Sequence, residues 1–216
     1  MSPRARNPTL RAKLVEAAAH LLAEEGPAAL SARRLTAEVG ASTMAVYTYF
    51  GSMEDVIRGV VREGFARLAE RLAEVADHDD PVTHLAELGR AYRRNALAHP
   101  HMYAVMLGGS ALGGFRLSED DRARGAMLLD VAMATVERCT AAGRFRAGDA
   151  WMVTRQYWCC IHGHVQLDLG GYFLEPDAAD TCFEELLRDF AVGSGDQLDA
   201  ATRSVRARTA EDAPAP

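Results

Sequence analysis

The chain has 216 residues, about half hydrophobic and a quarter charged, with a formal net charge of −6. That composition suits a folded globular chain with a sizeable core and excludes disorder over most of its length. The charge is uneven: residues 1–60 sum to +1 and the remainder to −7, so the front end is the part suited to approach a polyanion.

In chain order, Arg4, Arg6, Arg11 and Lys13 fall within the first thirteen residues without an acid, and residues 1–8 read as a flexible basic arm. Leu14, Ala18, Leu21 and Leu22 then repeat at helical spacing, broken by Glu16 and His20, which predicts a helix rather than a signal peptide. Gly26-Pro27 ends it. Ser31 is placed to cap a second, short helix with Leu35 and Val39 inward and Gly40 as its stop. A third begins near Ser42 or Thr43 and ends at Gly51. Ser52-Met53-Glu54-Asp55 reads as a capping box opening a long helix with Val56, Val60, Gly64, Leu68 and Leu72 along one side.

Further helices are expected over about 82–98, 101–107, 118–143, 149–169 and 177–192, with a glycine-rich connection, GGSALGG, at 108–114. That connection lacks the ending of a phosphate loop and no strand precedes it. Residues 193–216 read as a weakly ordered tail. The expected fold is all-α: a helix-turn-helix unit over 9–55, joined by a long helix to a helical ligand-binding and dimerisation domain over 56–192. Four cysteines, Cys139, Cys159, Cys160 and Cys182, two of them adjacent, point to a reducing cytoplasm. No run of about 18 apolar residues is present, so no membrane span is expected.

On a helical wheel, Ala45, Val46, Tyr49 and Phe50 fall on one side of the third helix, and Thr43, Met44, Tyr47 and Thr48 on the other. An exposed face of hydroxyls, a phenol and a thioether suits the second helix of a helix-turn-helix, set in a DNA major groove. Hydroxyls such as those of Ser42, Thr43 and Thr48 can meet base edges or phosphates, and methyls can touch thymine. Arg33, Arg34 and the arm are placed to supply the attraction to phosphate.

The segments LRAKLVEAAAHLLAEEG, ALSARRLTAEVG and ASTMAVYTYFGSMEDV resemble the DNA-binding domain of the tetracycline-repressor (TetR) family of bacterial transcription regulators over about residues 9–60. The resemblance implies base contacts at Thr43, Met44 and Ala45, and contacts to bases or backbone at Tyr47, Thr48 and Tyr49. It puts Arg33 in the groove or on a phosphate and makes Ser31 the cap beside a phosphate. The sequence departs at Met53, where the family usually has a phosphate-binding lysine; Arg4 and Arg6 are candidates to replace that charge.

Farther on, Trp158, His162 and Gly163, together with ALAHPHMYAVMLGG at 96–109, resemble a subgroup of the family with a Trp-His-Gly signature in its C-terminal domain. This implies a homodimer through the last two long helices and hence a palindromic operator. Tyr92, Met102, Tyr103, Met106, Phe115, Met127, Met133, Tyr157, Trp158 and His162 are candidates to line a site for a small, largely apolar effector. Gly163, costly in mid-helix, is expected to admit another helix closely.

Two other readings stand beside this one. Cys159 with His162, and Cys160 with His164, have ligand-compatible spacing for a metal-responsive regulator, although each pair supplies only two ligands. Met53 also allows a dimeric interaction protein with a weakened DNA face. No nucleophile elbow, dinucleotide fingerprint or convincing metal set is present, so neither catalysis nor a cofactor is expected.

Overall fold

A computed structural model describes residues 8–107 and 117–207. Arg4, Arg6, Phe115 and the glycine stretch at 108–114 lie outside the described residues. Among the described residues there are eleven α-helices, one short 3₁₀ turn and no strand: α1 (Pro8–Glu25), α2 (Ala32–Val39), α3 (Thr43–Tyr49), α4 (Met53–Ala73), α5 (Pro81–Ala98), α6 (Pro100–Met106), α7 (Glu119–Met127), α8 (Asp130–Ala141), α9 (Ala150–Leu169), α10 (Ala178–Ser194) and α11 (Leu198–Arg206). No helix among them is long and apolar enough to cross a membrane.

The chain divides into two compact units. The first holds α1–α3, α4 up to Arg67, α6 and most of α7. Its core is apolar: Leu14, Ala18, Leu21 and Leu22 of α1, Leu35 of α2, Val46 of α3 and Val56 and Val60 of α4 are all buried. Helix α1 packs on both α2 and α6. At Gly64 of α4 an added Cβ would lie 3.0 Å from the Met106 sulfur and 3.1 Å from Met102, so the glycine lets α6 sit close.

The second unit contains the end of α4, α5 and α8–α11. Helix α5 is its centre, with every residue from Pro81 to Tyr92 buried, including Glu87 and Arg90. Charges so placed need partners. Arg90 pairs with Glu87 and Glu184 and donates to the Val205 carbonyl. Arg144 holds Asp196 through two nitrogens, at 2.7 and 2.6 Å, and reaches Asp80 at 3.0 Å and the Ser204 hydroxyl at 2.9 Å.

Two expectations are corrected. Residues 118–143 form two helices, because the Leu129 amide bonds three residues back, to Ala126 at 2.9 Å, and interrupts the ladder. Residues 198–206 form α11 instead of part of a weakly ordered tail. Ala201, Ser204 and Val205 are buried there, and Thr83 donates to the Ser204 carbonyl at 3.0 Å.

Candidate nucleic-acid interface

Helices α2 and α3 are set by local chemistry. Ser31 accepts from the Arg34 amide at 3.3 Å and caps α2. Gly40 ends it with φ +65°, in the left-handed region that favours glycine, and the Ala41 amide returns to the Thr36 carbonyl at 2.9 Å. Two residues later α3 starts after Ser42, which adopts extended backbone and makes no side-chain cap.

The two sides of α3 separate by burial. Val46 is fully buried, and Ala45, Tyr49 and Phe50 are half-buried. Phe50 lies so close to α4 that a Cβ at Gly59 would be 2.9 Å from its ring, and the Arg11 guanidinium sits 5.5 Å from the ring centroid. On the other side Thr43, Met44, Tyr47 and Thr48 are exposed, Met44 at 70% and Tyr47 at 51%. A thioether and a phenol this open on so short a helix form an unusual surface. Thr48 donates to the Met44 carbonyl at 2.8 Å, which leaves its oxygen lone pairs as acceptors.

Around α3, Ser42, Arg33 and Arg34 are exposed and Ser31 is exposed at the start of α2, but the two arginines differ. Arg34 pairs with Glu25 of α1, so part of its charge is already engaged. Among the described residues Arg33 has no ion-pair partner, which makes it the stronger cation beside α3. Sequence spacing could not distinguish them, since Glu25 lies in another helix. Ser52 opens α4: its oxygen accepts from the Asp55 amide at 3.0 Å and its hydroxyl donates to the Asp55 carboxylate at 2.7 Å. Met53 is half-buried.

The residues expected at an effector site fall in both units. Met102, Tyr103 and Met106 are buried in the first. In the second, the Trp158 indole donates to the Tyr92 phenol at 3.4 Å, and His162 Nδ1 lies 3.2 Å from the same oxygen. Burial pushes the His162 imidazole below its usual range, which favours the neutral ring. Two of the Trp-His-Gly signature residues thus meet one tyrosine of α5, and Gly163 faces elsewhere, exposed.

Tyr157 is better explained by packing: it is buried, donates to the Leu85 carbonyl at 2.7 Å, and its phenol fills the space where a Cβ of Gly89 would stand. Met133 is half-buried, and Met127 is 67% exposed rather than part of a core. Its place at the end of α7 turns it outward.

The Cys/His spacing does not produce a metal cluster. Cys159 and Cys160 are exposed, while His164 is buried with its ring 4.9 Å from both Phe173 and Phe183. Among the described residues no three metal-ligating side chains converge. Sequence reasoning missed the long-range partners: Arg62 with Asp121 in the first unit, and Arg93 with Asp168 and Asp180 in the second. Each links helices far apart in sequence, and only an unpaired-charge argument hints at them.

Comparison with known proteins gives the same organisation. Residues 14–60 match the profile "Bacterial regulatory proteins, tetR family", and residues 85–190 match "Tetracyclin repressor-like, C-terminal domain". No curated protein matches significantly. Among solved structures, a protein of unknown function from Rhodococcus sp. RHA1 superposes with a TM-score of 0.72 at 24% identity, covering 90% of this chain and 100% of that one. The TetR-family regulator PfmR from Thermus thermophilus gives 0.66 at 21% identity, covering 85% and 99%. RolR, in complex with resorcinol, gives 0.60 at 20% identity, covering 93% and 94%. The two profile matches together span well over half of the chain, and with a helix-turn-helix ahead of a helical C-terminal domain they identify it as a DNA-binding transcriptional regulator of the TetR family.

Proposed function

We propose that the chain acts as a homodimeric repressor that binds a palindromic operator through α3 and is released by a small, largely apolar effector. The observation that carries the DNA reading is the outer face of α3: Thr43, Met44, Tyr47 and Thr48 stand exposed beside the cation of Arg33. Ser31, Ser42, Arg34, Ala45 and Tyr49 complete the proposed contact surface, with Arg4 and Arg6 of the arm as further candidates. Dimerisation is assigned to α9 and α10, whose outer faces expose Met152, Leu167 and three thiols.

The effector is assigned to the aromatic residues of the C-terminal domain, with Tyr92, Trp158 and His162 offering hydrogen bonds to a polar group on an apolar ligand. The complex of RolR with resorcinol, a small aromatic diol, in a protein of similar fold supports a ligand of this kind. Filling such a site lowers DNA affinity when the ligand binds the DNA-incompetent state more tightly.

Selection of bound duplexes from a random pool at fixed moderate salt, with wild type and Tyr47→Ala, tests the DNA reading. Enrichment of a two-fold symmetric site by wild type alone supports it. An asymmetric site breaks the dimer reading, and no enrichment breaks the DNA reading. Addition of resorcinol and related phenols to the selected duplex then tests release.

A further inference from the structure

We propose that Arg11 is a positioning residue for DNA recognition: together with Gly59 it grips the Phe50 ring, and this grip sets the pose of α3. The proposal rests on the α3 reading above and adds what holds that helix in place.

The first observation is how α3 ends. Phe50 caps it, with its amide returning to the Val46 carbonyl at 2.9 Å. Gly51 follows at φ +87°, in the left-handed region, and turns the chain toward Ser52 and α4. Val46 and Phe50 stand one turn apart and anchor the inner side of α3. Val46 is locked in the core, whereas Phe50 is half-buried and its ring needs support of its own. A seven-residue helix is only about 10 Å long. A shift at its last turn therefore tilts the whole helix about Val46 and carries Tyr47 and Thr48 with it.

The second observation is what supports the ring. In α4, a Cβ added at Gly59 would stand 2.9 and 3.3 Å from two atoms of the Phe50 ring. The ring fills the space a side chain would take, which accounts for a glycine that costs helix stability in the middle of α4. From α1, the Arg11 guanidinium carbon lies 5.5 Å from the ring centroid, within the range of cation–π attraction. The end of α3 is thus seated on one residue of α1 and one of α4.

The third observation is how Arg11 itself is held. Its Nη1 lies 3.9 Å from one carboxylate oxygen of Glu63 in α4. The other Glu63 oxygen accepts from Arg67 Nε at 3.1 Å, and Arg67 also pairs with Glu16 of α1 at 2.5 Å. Positive and negative groups therefore alternate between α1 and α4 beside the Phe50 seat. An exposed arginine in a basic front end reads first as a phosphate contact. Here the guanidinium has a ring and a carboxylate of its own unit to face. A planar guanidinium can stack on the one while it attracts the other. Exposed ion pairs contribute little to stability, so Arg11 can be removed without unfolding the unit.

The test uses the full-length protein with two labelled duplexes: the two-fold symmetric duplex that wild type selects, and a shuffled duplex of the same length and composition. Anisotropy titrations at several salt concentrations run beside thermal melts. Arg11→Ala is expected to weaken binding to the selected duplex by roughly two- to fivefold. Its salt slope, its affinity for the shuffled duplex and its melting temperature should stay unchanged. Arg11→Lys keeps a cation over the ring and should restore part of the loss. Gly59→Ala is the sharper variant, because alanine pushes the Phe50 ring aside and is also the better helix former. It is expected to lower affinity for the selected duplex further while the melting temperature holds or rises. A salt slope reduced by about one, with weaker binding to the shuffled duplex as well, would make Arg11 a phosphate contact and overturn the proposal. Melting temperatures that fall in step with affinity in both alanine variants would overturn it too, by making the seat merely structural. Unchanged affinity in both would remove the positioning role and leave the α3 reading intact. If wild type selects no duplex, the α3 reading fails and this inference falls with it.

Discussion

The outer faces of α3 and α9 are both exposed and both uncharged, yet they differ in what flanks them and in what lies beneath. Beside α3 stand Arg33 and Arg34, and the face offers hydroxyls and a phenol. The α9 stripe offers a thioether, thiols, a glycine and a leucine, with no cation between Gln156 and Leu167. Hydrogen-bonding groups beside arginine suit a polyanion whose bases must be read, while soft apolar groups suit another protein surface. Below α3 the core is apolar, with Val46 and Leu35 fully buried. The unit that carries α9 is braced by interior ion pairs around Arg90, Arg93 and Arg144. An uncharged patch therefore says little alone, and its neighbours and its support decide what it can bind.

The largest expected effect is on the α3 face. A Thr43→Ala/Tyr47→Ala double variant should weaken binding to a selected operator by roughly 100-fold, since each base contact is worth about 1–3 kcal/mol. Dimerisation should be unchanged, because neither residue lies on α9 or α10. Fluorescence anisotropy with the selected duplex, beside light scattering, checks both. Loss of the dimer as well would mean that the two surfaces are not independent.

Next is the support of the second unit, which should be acid-sensitive. Burial works against the charged form of Asp80, but hydrogen bonds from Ser204 and Val82 and the nearby Arg144 outweigh it and hold the carboxyl below its usual range. A carboxyl lowered by folding contributes stability that is present above its unfolded value, near 4, and is lost as pH falls through the folded one. His84, His162 and His164 are also lowered, each chiefly by burial. Their contribution is present above about 6.5 and is lost as pH falls through their folded values. Thermal melts from pH 7.5 down to 3.5 should show both losses. Asp80→Asn should lower the melting temperature at pH 7 by roughly 3–10 °C, from about 1–3 kcal/mol of lost hydrogen bonding, and should flatten the limb below pH 4. An unchanged acid limb in the variant would show that the Asp80 network does not carry it.

How far the sequence reveals these features depends on the range of the forces involved. Caps and stops act over three or four residues, so Ser31, Gly40, Ser52 and Asp149 could be read directly, and each stands at a helix boundary. The inward side of α3, with Val46 buried and Ala45, Tyr49 and Phe50 half-buried, and the outward Thr43, Met44, Tyr47 and Thr48 followed from periodicity alone. Helix α11 could not be read: its sequence is polar, and it is held by Thr83, Arg90 and Arg144, more than fifty residues away in sequence. The break between α7 and α8 carries no proline and no glycine at the turn itself, so nothing local announced it. Met127 was misplaced for the same reason. The convergence of Tyr92, Trp158 and His162 depends on how α5 meets α9, which no single segment encodes.

A smaller effect separates the two arginines beside α3. Arg33→Ala should reduce the slope of log affinity against log salt by about one phosphate contact, whereas Arg34→Ala should reduce it less because Glu25 already holds Arg34. Anisotropy titrations at several salt concentrations give both slopes. Equal losses would mean that DNA takes Arg34 away from Glu25.

The smallest effect concerns Met53, the first residue of α4, where the family usually has lysine. Met53→Lys should add about one phosphate contact to the salt slope and tighten operator binding several-fold at low salt. A lysine in the first turn of a helix opposes the helix dipole, typically by about 0.3–1 kcal/mol, so the gain is partly offset. Helix α4 should tolerate it, because Glu54 and Asp55 already place negative charge in that turn. The Ser52 hydroxyl foremost holds the Asp55 carboxyl below its usual range and keeps it ionised. A steeper slope with tighter binding would show that α3 works here with one phosphate anchor fewer than its relatives, and that Arg33 carries more of the attraction. An unchanged slope would put the start of α4 away from the DNA backbone and leave α2 and α3 as the whole of the contact surface among the described residues.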